Sequence, residues 1–143
     1  GLLAGRAALI ASGRLDPAEA PTVVAVGVAK GVVSGLPDVA EFADQVLELM
    51  RIDVRVDPAD VEIDGRWMGD DYAVPTRSGD EAIAWGASAN GLLLDRTYSG
   101  KGLAGVLGMA AEGRWGADDD VVFIHTGGWP ALFAPGGAPV LPG

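Results

Sequence analysis

Thr22-Val-Val-Ala-Val-Gly-Val28 is a short, unbroken apolar run rich in β-branched residues, the pattern of a strand covered on both faces of a parallel sheet. The segment after it has a different period. Val39, Phe42, Ala43, Val46, Leu47 and Met50 fall at i, i+3, i+4 and i+7 spacing and predict an amphipathic helix over 39–50, with Pro37-Asp38 as its start. Strand and helix then alternate. Ile52-Asp-Val-Arg-Val56 has the two-residue alternation of a half-buried strand, and residues 57–74 read as loop-rich. Ser78 to Ala89 reads as a helix capped by Ser78, with Glu81 at the capping-box position and Gly91 as its end. Leu92-Leu-Leu94 predicts a brief strand, Gly100 to Glu112 a helix closed by Gly113, and Val121-Val-Phe-Ile-His125 another buried strand.

These alternations predict an α/β fold, a three-layer sandwich with a largely parallel sheet. At the front, Gly1 to Leu9 reads as a helix with no Ser, Thr or Asp ahead of it to cap its first amides, so a start upstream of Gly1 is expected. Residues 135–143, with Gly136-Gly137 and Pro139, read as a loop or disordered tail behind the main domain of residues 1–134.

Composition excludes several classes of function. Twenty acidic residues against ten basic ones give a net charge of -10. With no Lys/Arg cluster such a chain repels a phosphate backbone, so no nucleic-acid partner is expected. No basic amphipathic stripe is present to hold it on an anionic membrane. The most apolar stretch, Thr22 to Leu36, is broken by Lys30 and several glycines, and no leader-like arrangement opens the chain. A cytoplasmic protein without membrane contact is expected. The absence of cysteine rules out disulfides and thiolate catalysis, and a single histidine gives no structural zinc pattern, so no metal site is expected. There is also no phosphate-loop signature over Gly31 to Gly35 and no G-x-S-x-G elbow to make His125 part of a hydrolase triad.

Ligands in α/β sheets sit off the carboxyl ends of strands, which singles out two segments. His125-Thr-Gly-Gly-Trp-Pro130 follows a predicted strand, and its two glycines let the backbone approach a ligand closely. Its plainer reading is a tight turn around a packed histidine. Asp95-Arg-Thr-Tyr-Ser-Gly-Lys101 gathers a carboxylate, two hydroxyls, a phenol and an ammonium; its plainer reading is a polar loop with Ser99 capping the next helix. A third segment, Gly69-Asp-Asp-Tyr-Ala-Val-Pro75, is by composition a surface turn carrying one aromatic. Trp67 and Trp85 are expected to be packing residues.

Taken in order, Gly69-Asp-Asp-Tyr-Ala-Val-Pro75, the Glu81-Ala82 helix, Gly91-Leu-Leu-Leu-Asp-Arg-Thr-Tyr-Ser-Gly-Lys101 and His125-Thr-Gly-Gly-Trp-Pro-Ala-Leu132 resemble the C-terminal part of the D-cysteine desulfhydrase and 1-aminocyclopropane-1-carboxylate deaminase family. Gly1-Leu-Leu-Ala-Gly-Arg-Ala-Ala8 resembles the helix after that family's phosphate-binding loop, so the resemblance reaches from Gly1 to Phe133. It implies a fold-type II pyridoxal 5'-phosphate enzyme related to the tryptophan synthase β chain. The lysine that bonds the cofactor, and the phosphate loop, are then expected before Gly1, and neither Lys30 nor Lys101 takes that part. The chain alone would be an incomplete half.

The resemblance implies that Ser99 faces the cofactor's ring nitrogen, that Thr126 and Gly127 line the cofactor pocket, and that Tyr98 and Tyr72 are the catalytic tyrosines beside a small amino-acid substrate. The deaminase branch carries glutamate and leucine where this chain has Ser99 and Thr126. A neutral hydroxyl makes a weaker demand on the ring nitrogen than a carboxylate, which favours thiolate elimination from D-cysteine, giving pyruvate, sulfide and ammonia. The deaminase itself and a cysteate sulfo-lyase are the neighbouring alternatives. A noncatalytic fragment, or a subunit completed by a second chain, is the alternative of another class. The intact enzyme is expected to be a homodimer. Two departures stand out: Asp70 replaces the proline usual before the loop tyrosine, and Arg96 replaces the proline usual after Asp95.

Overall fold

The computed structural model describes residues 1–30 and 36–137, without the side chains of residues 36–38. Gly31 to Gly35 and residues 138–143 of the expected tail lie outside the described residues. The chain forms two compact units, residues 1–25 with 31–63 and residues 26–30 with 64–143.

In the first unit, helix α1 (Leu2–Ala11) and helix α2 (Leu36–Leu49) bury small faces. Ala4, Ala40, Ala43, Leu47 and Val56 form the core, lined by Leu3, Ala7, Val46, Ile52 and Val54. Ala40, Ala43 and Leu47 are one i, i+3, i+7 stripe, so the helical period is as expected. Its direction is turned, however. Phe42 is 66% exposed and Met50 55% exposed, because alanine at 40 and 43 lets α1 approach where a phenyl ring would hold it off. Asp44 accepts the Val56 amide at 2.8 Å, which fixes 52–56 against α2.

Strands β1 (Val24–Val26) and β2 (Glu62–Asp64) form a two-stranded parallel sheet, continued by the Gly27 amide donating to the Asp64 carbonyl at 2.8 Å. The fold is therefore mixed α/β around a small parallel sheet. The expected strand at 22–28 shortens to three residues, and β2 arises in a stretch read as loop. Ile52–Val56, Leu92–Leu94 and Val121–His125 form no ladder. A strand exists only through its neighbour's hydrogen bonds, and among the described residues these three segments are not part of any ladder. Val122 is accordingly 81% exposed.

The second unit is built on helix α3 (Arg77–Asn90) against helix α4 (Ser99–Ala111). Ala82, Ile83, Leu94, Leu103 and Ala104 are its buried core. Gly86 makes the close crossing possible, since a Cβ there would stand 3.1 Å from Leu94 Cδ1 and 3.2 Å from Leu103 Cδ2. The six-membered ring of Trp67 lies against Gly108 of α4, in space that any side chain at 108 would fill. It is thus the packing residue expected, while Trp85 is 46% exposed and is not. Thr76, and not Ser78, caps α3: its hydroxyl accepts the Gly79 amide at 3.0 Å. Glu81 consequently sits past the capping-box position and pairs with Arg77 at 2.8 Å. Gly91 ends the helix in the left-handed region, φ 66°, as expected of a C-terminal glycine.

Candidate active site

Leu94 is buried, and Asp95 follows it with no exposed surface. The Asp95 carboxylate organises the start of α4. Its Oδ2 accepts the amides of Thr97 and Tyr98, each at 2.8 Å. Its Oδ1 accepts the Ser99 amide at 2.9 Å and the Ser99 hydroxyl at 2.7 Å, and the Asp95 amide donates back to Ser99 Oγ at 2.8 Å. The first amides of a helix have no partner within it, and Asp95 supplies one. Ser99 therefore lies inside α4, where the plainer sequence reading made it the cap. Burial pushes the Asp95 carboxyl up, but the Ser99, Tyr98 and Thr97 donors outweigh burial and hold it below the ordinary carboxylate range.

The same turn presents Tyr98 outward, and there the loop of 69–75 delivers Tyr72. The two phenol oxygens share a hydrogen bond, with ring centroids 5.9 Å apart and planes tilted by 59°. That shared bond, then partial burial and the nearby charges, raise Tyr98 above the ordinary tyrosine value. Delivering Tyr72 needs an unusual backbone: Gly69 has φ 77° and Ala73, a residue with a Cβ, has φ 58°. Lys101, fully buried on α4, donates to the Met68 carbonyl at 2.6 Å and to the Asp71 carbonyl at 3.4 Å. Burial lowers its affinity for a proton and the neighbouring Asp71 charge partly restores it.

The third segment closes on the same turn. Gly127 and Gly128 have φ 115° and 102°, and a Cβ on Gly128 would fall on the Asp95 carboxylate. Glycine at 128 is thus what lets this backbone lie against Asp95. His125 staples the turn: its Nδ1 accepts the Gly127 amide at 3.2 Å, and its Nε2 lies 2.9 Å from the Leu93 carbonyl and 3.1 Å from the Trp129 indole nitrogen. A neutral imidazole has one N–H and one lone pair, so with Nδ1 accepting, Nε2 donates to Leu93. Trp129 then meets the ring edge-on, at 6.0 Å and 89°. His125 is the packed histidine of the plainer reading, and the short 3-10 helix Trp129–Phe133 follows it.

Over these segments the comparison with known proteins is specific. The D-cysteine desulfhydrase of Serratia proteamaculans (strain 568) is 36% identical over 112 residues, which is 78% of this chain and 33% of that protein. Those of Salmonella newport (strain SL254) and Salmonella heidelberg (strain SL476) are 42% identical over 76 residues, 53% of this chain and 23% of each. Over this stretch the chain is similar to proteins named D-cysteine desulfhydrase. It spans about a third or less of the length of the curated relatives it matches. No family model matches the chain.

Of the residues expected from the resemblance to the D-cysteine desulfhydrases, the structure brings Tyr72 and Tyr98 together at the mouth of the Asp95 turn. It buries Ser99 beneath them, with 5% exposed. It lays Gly127 and the exposed Thr126 on the segment whose Gly128 touches Asp95. Sequence reading assigned no role to Asp95 or Lys101, although both stand in the quoted motif. It also missed Asp80, whose carboxylate receives the Arg96 guanidinium in a two-pronged contact, Nε to Oδ1 at 2.8 Å and Nη2 to Oδ2 at 2.6 Å. Arg96, the departure from the family's proline, thereby ties the site turn to the first turn of α3. Among the described residues no helix is long and apolar enough to cross a membrane.

Proposed function

We propose that this chain forms the tyrosine and serine side of a pyridoxal 5'-phosphate-dependent lyase acting on D-cysteine. The observation that carries the reading is the state of Ser99. Its one proton is committed to Asp95 Oδ1 and one lone pair to the Asp95 amide, so a second lone pair remains for a ligand. A buried hydroxyl of this kind fits a heteroaromatic ring nitrogen as a neutral acceptor. The glycines at 127 and 128 fit the same group, because no Cβ stands between that backbone and the turn.

When bound, the cofactor would supply an electron sink that makes the α-hydrogen of an amino acid acidic and lets a β-thiolate leave, so that D-cysteine and one water give pyruvate, ammonia and sulfide. The rest is done by side chains. With only a lone pair left, Ser99 would accept from the ring nitrogen in its protonated form, holding that proton less strongly than a carboxylate would, and Asp95 keeps Ser99 in that orientation. Tyr98, with its proton held firmly at the phenol oxygen, and Tyr72 orient the substrate and give or take a proton there. Thr126 lines the pocket. Gly127 contributes close approach, since its amide is spent on His125. The reading carries with it the three-layer fold-type II domain over residues 1–134, a cytoplasmic location and a homodimer.

Titrating the full-length gene product that carries this sequence with pyridoxal phosphate, followed by borohydride reduction and peptide mapping, tests the cofactor assignment. The visible absorption of a bound cofactor is expected to appear without modification of Lys30 or Lys101. A stoichiometric adduct on Lys101 would overturn the assignment of roles within the site.

A further inference from the structure

Lys101 is the buried ionisable group for which the reaction above has no use. Its side chain has no exposed surface, and an ammonium in that position loses its hydration. A solvated surface lysine would give the helix the same first turn at less cost. What burial achieves is visible at the far end of the side chain. The stem passes Gly79 of α3, where a Cβ would stand 3.8 Å from Lys101 Cγ. The ammonium then reaches the carbonyls of Met68 and Asp71, at 2.6 and 3.4 Å. These are the residues just before Tyr72. The loop bends through Gly69 between them and through the left-handed Ala73 just after Tyr72, a conformation that a free loop would relax.

We propose that Lys101 is the positioning residue of the tyrosine pair: its ammonium fastens the 68–71 backbone to α4 and so holds the Tyr72 hydroxyl on that of Tyr98. Tyr98 and Lys101 leave the same first turn of α4. One helix end thus fixes both partners of the pair, one directly and one through the loop. The claim rests on the geometry of the pair and needs neither cofactor nor substrate, so it stands or falls separately from the proposed lyase activity.

Tyr72 and Tyr98 are the two tyrosines of the chain, which makes tyrosinate absorbance a direct readout of the pair. In the full chain, Tyr98 is expected to titrate above the ordinary value of about 10. In Lys101→Met, which keeps the stem and removes the donors, Tyr98 is expected to fall back toward the ordinary tyrosine value. The Tyr72 and Val74 amides are expected to exchange with solvent about tenfold faster, while the α3 and α4 amides keep their rates. The direction separates positioning from charge. Removing a nearby cation makes a phenolate harder to form and moves Tyr98 up, whereas loss of the shared hydrogen bond moves it down. A folded Lys101→Met chain in which Tyr98 stays high and the loop amides stay protected contradicts the proposal. Should circular dichroism show Lys101→Met unfolded, the same two readings on Lys101→Gln decide in the same sense.

Discussion

Ser99 and Asp95 bond to each other in both directions: the Ser99 hydroxyl donates to Asp95 Oδ1 at 2.7 Å, and the Asp95 amide donates to the Ser99 oxygen at 2.8 Å. The residue expected to meet the cofactor is therefore held from behind by a buried carboxylate. Replacing Asp95 by Asn puts an NH2 group where two backbone amides point. This is expected to destabilise the protein by about 1.5–3 kcal/mol, the range for a lost hydrogen-bonded charge, as read from the urea midpoint.

The same carboxylate gives the protein an acid limit. A carboxyl held low in the folded state contributes stability that is complete above its unfolded value, about 3.9, and disappears as pH falls through the folded value. Urea midpoints are expected to be flat through neutral pH on this account and to drop below about pH 4. Ser99→Ala removes one of the donors that hold Asp95 down, so its acid loss of stability is expected to start at the same pH but to be smaller and complete at a higher pH than in the unmodified protein.

Gly128→Ala puts a methyl group onto the Asp95 carboxylate at a φ of 102°. The expected cost is about 1–3 kcal/mol, with the thermal midpoint lowered accordingly. Gly91→Ala is the comparison. It has a positive φ but no atom within 4 Å of the added methyl, so a smaller loss is expected.

Tyr72→Phe leaves Tyr98 as the sole tyrosine and removes the first cause of its raised value. A single tyrosinate transition nearer about 10 is expected. An unchanged, high transition would mean that burial and not the shared hydrogen bond sets it.

The helices were legible because their signals are local. The periodicity of 39–50, Gly91 and Gly113 each fix an end or a face within one turn of chain. The cap of α3 was misassigned because Thr76 and Ser78 are chemically equal candidates two residues apart, and only the backbone geometry chooses between them. Strands were less legible. Val121–Ile124 has the composition of a buried strand, but pairing depends on a neighbour that composition cannot supply, and Glu62-Ile-Asp64 pairs although two of its three residues are acidic. Within the site, Tyr72, Tyr98 and Ser99 could be named because each stands in a recognisable motif. The roles of Asp95 and Lys101 depend on what their side chains reach, and Lys101 reaches back about 30 residues. Spacing alone carries no such information.

The most direct test of the whole account is to supply the full-length gene product that carries this sequence with pyridoxal phosphate and D-cysteine and to measure sulfide and pyruvate together. Equal amounts of both, with little from L-cysteine, 1-aminocyclopropane-1-carboxylate or cysteate, and a fall in kcat on Tyr98→Phe, are predicted. Sulfide no higher than with pyridoxal phosphate alone, or turnover of the cyclopropane in preference to D-cysteine, would contradict it.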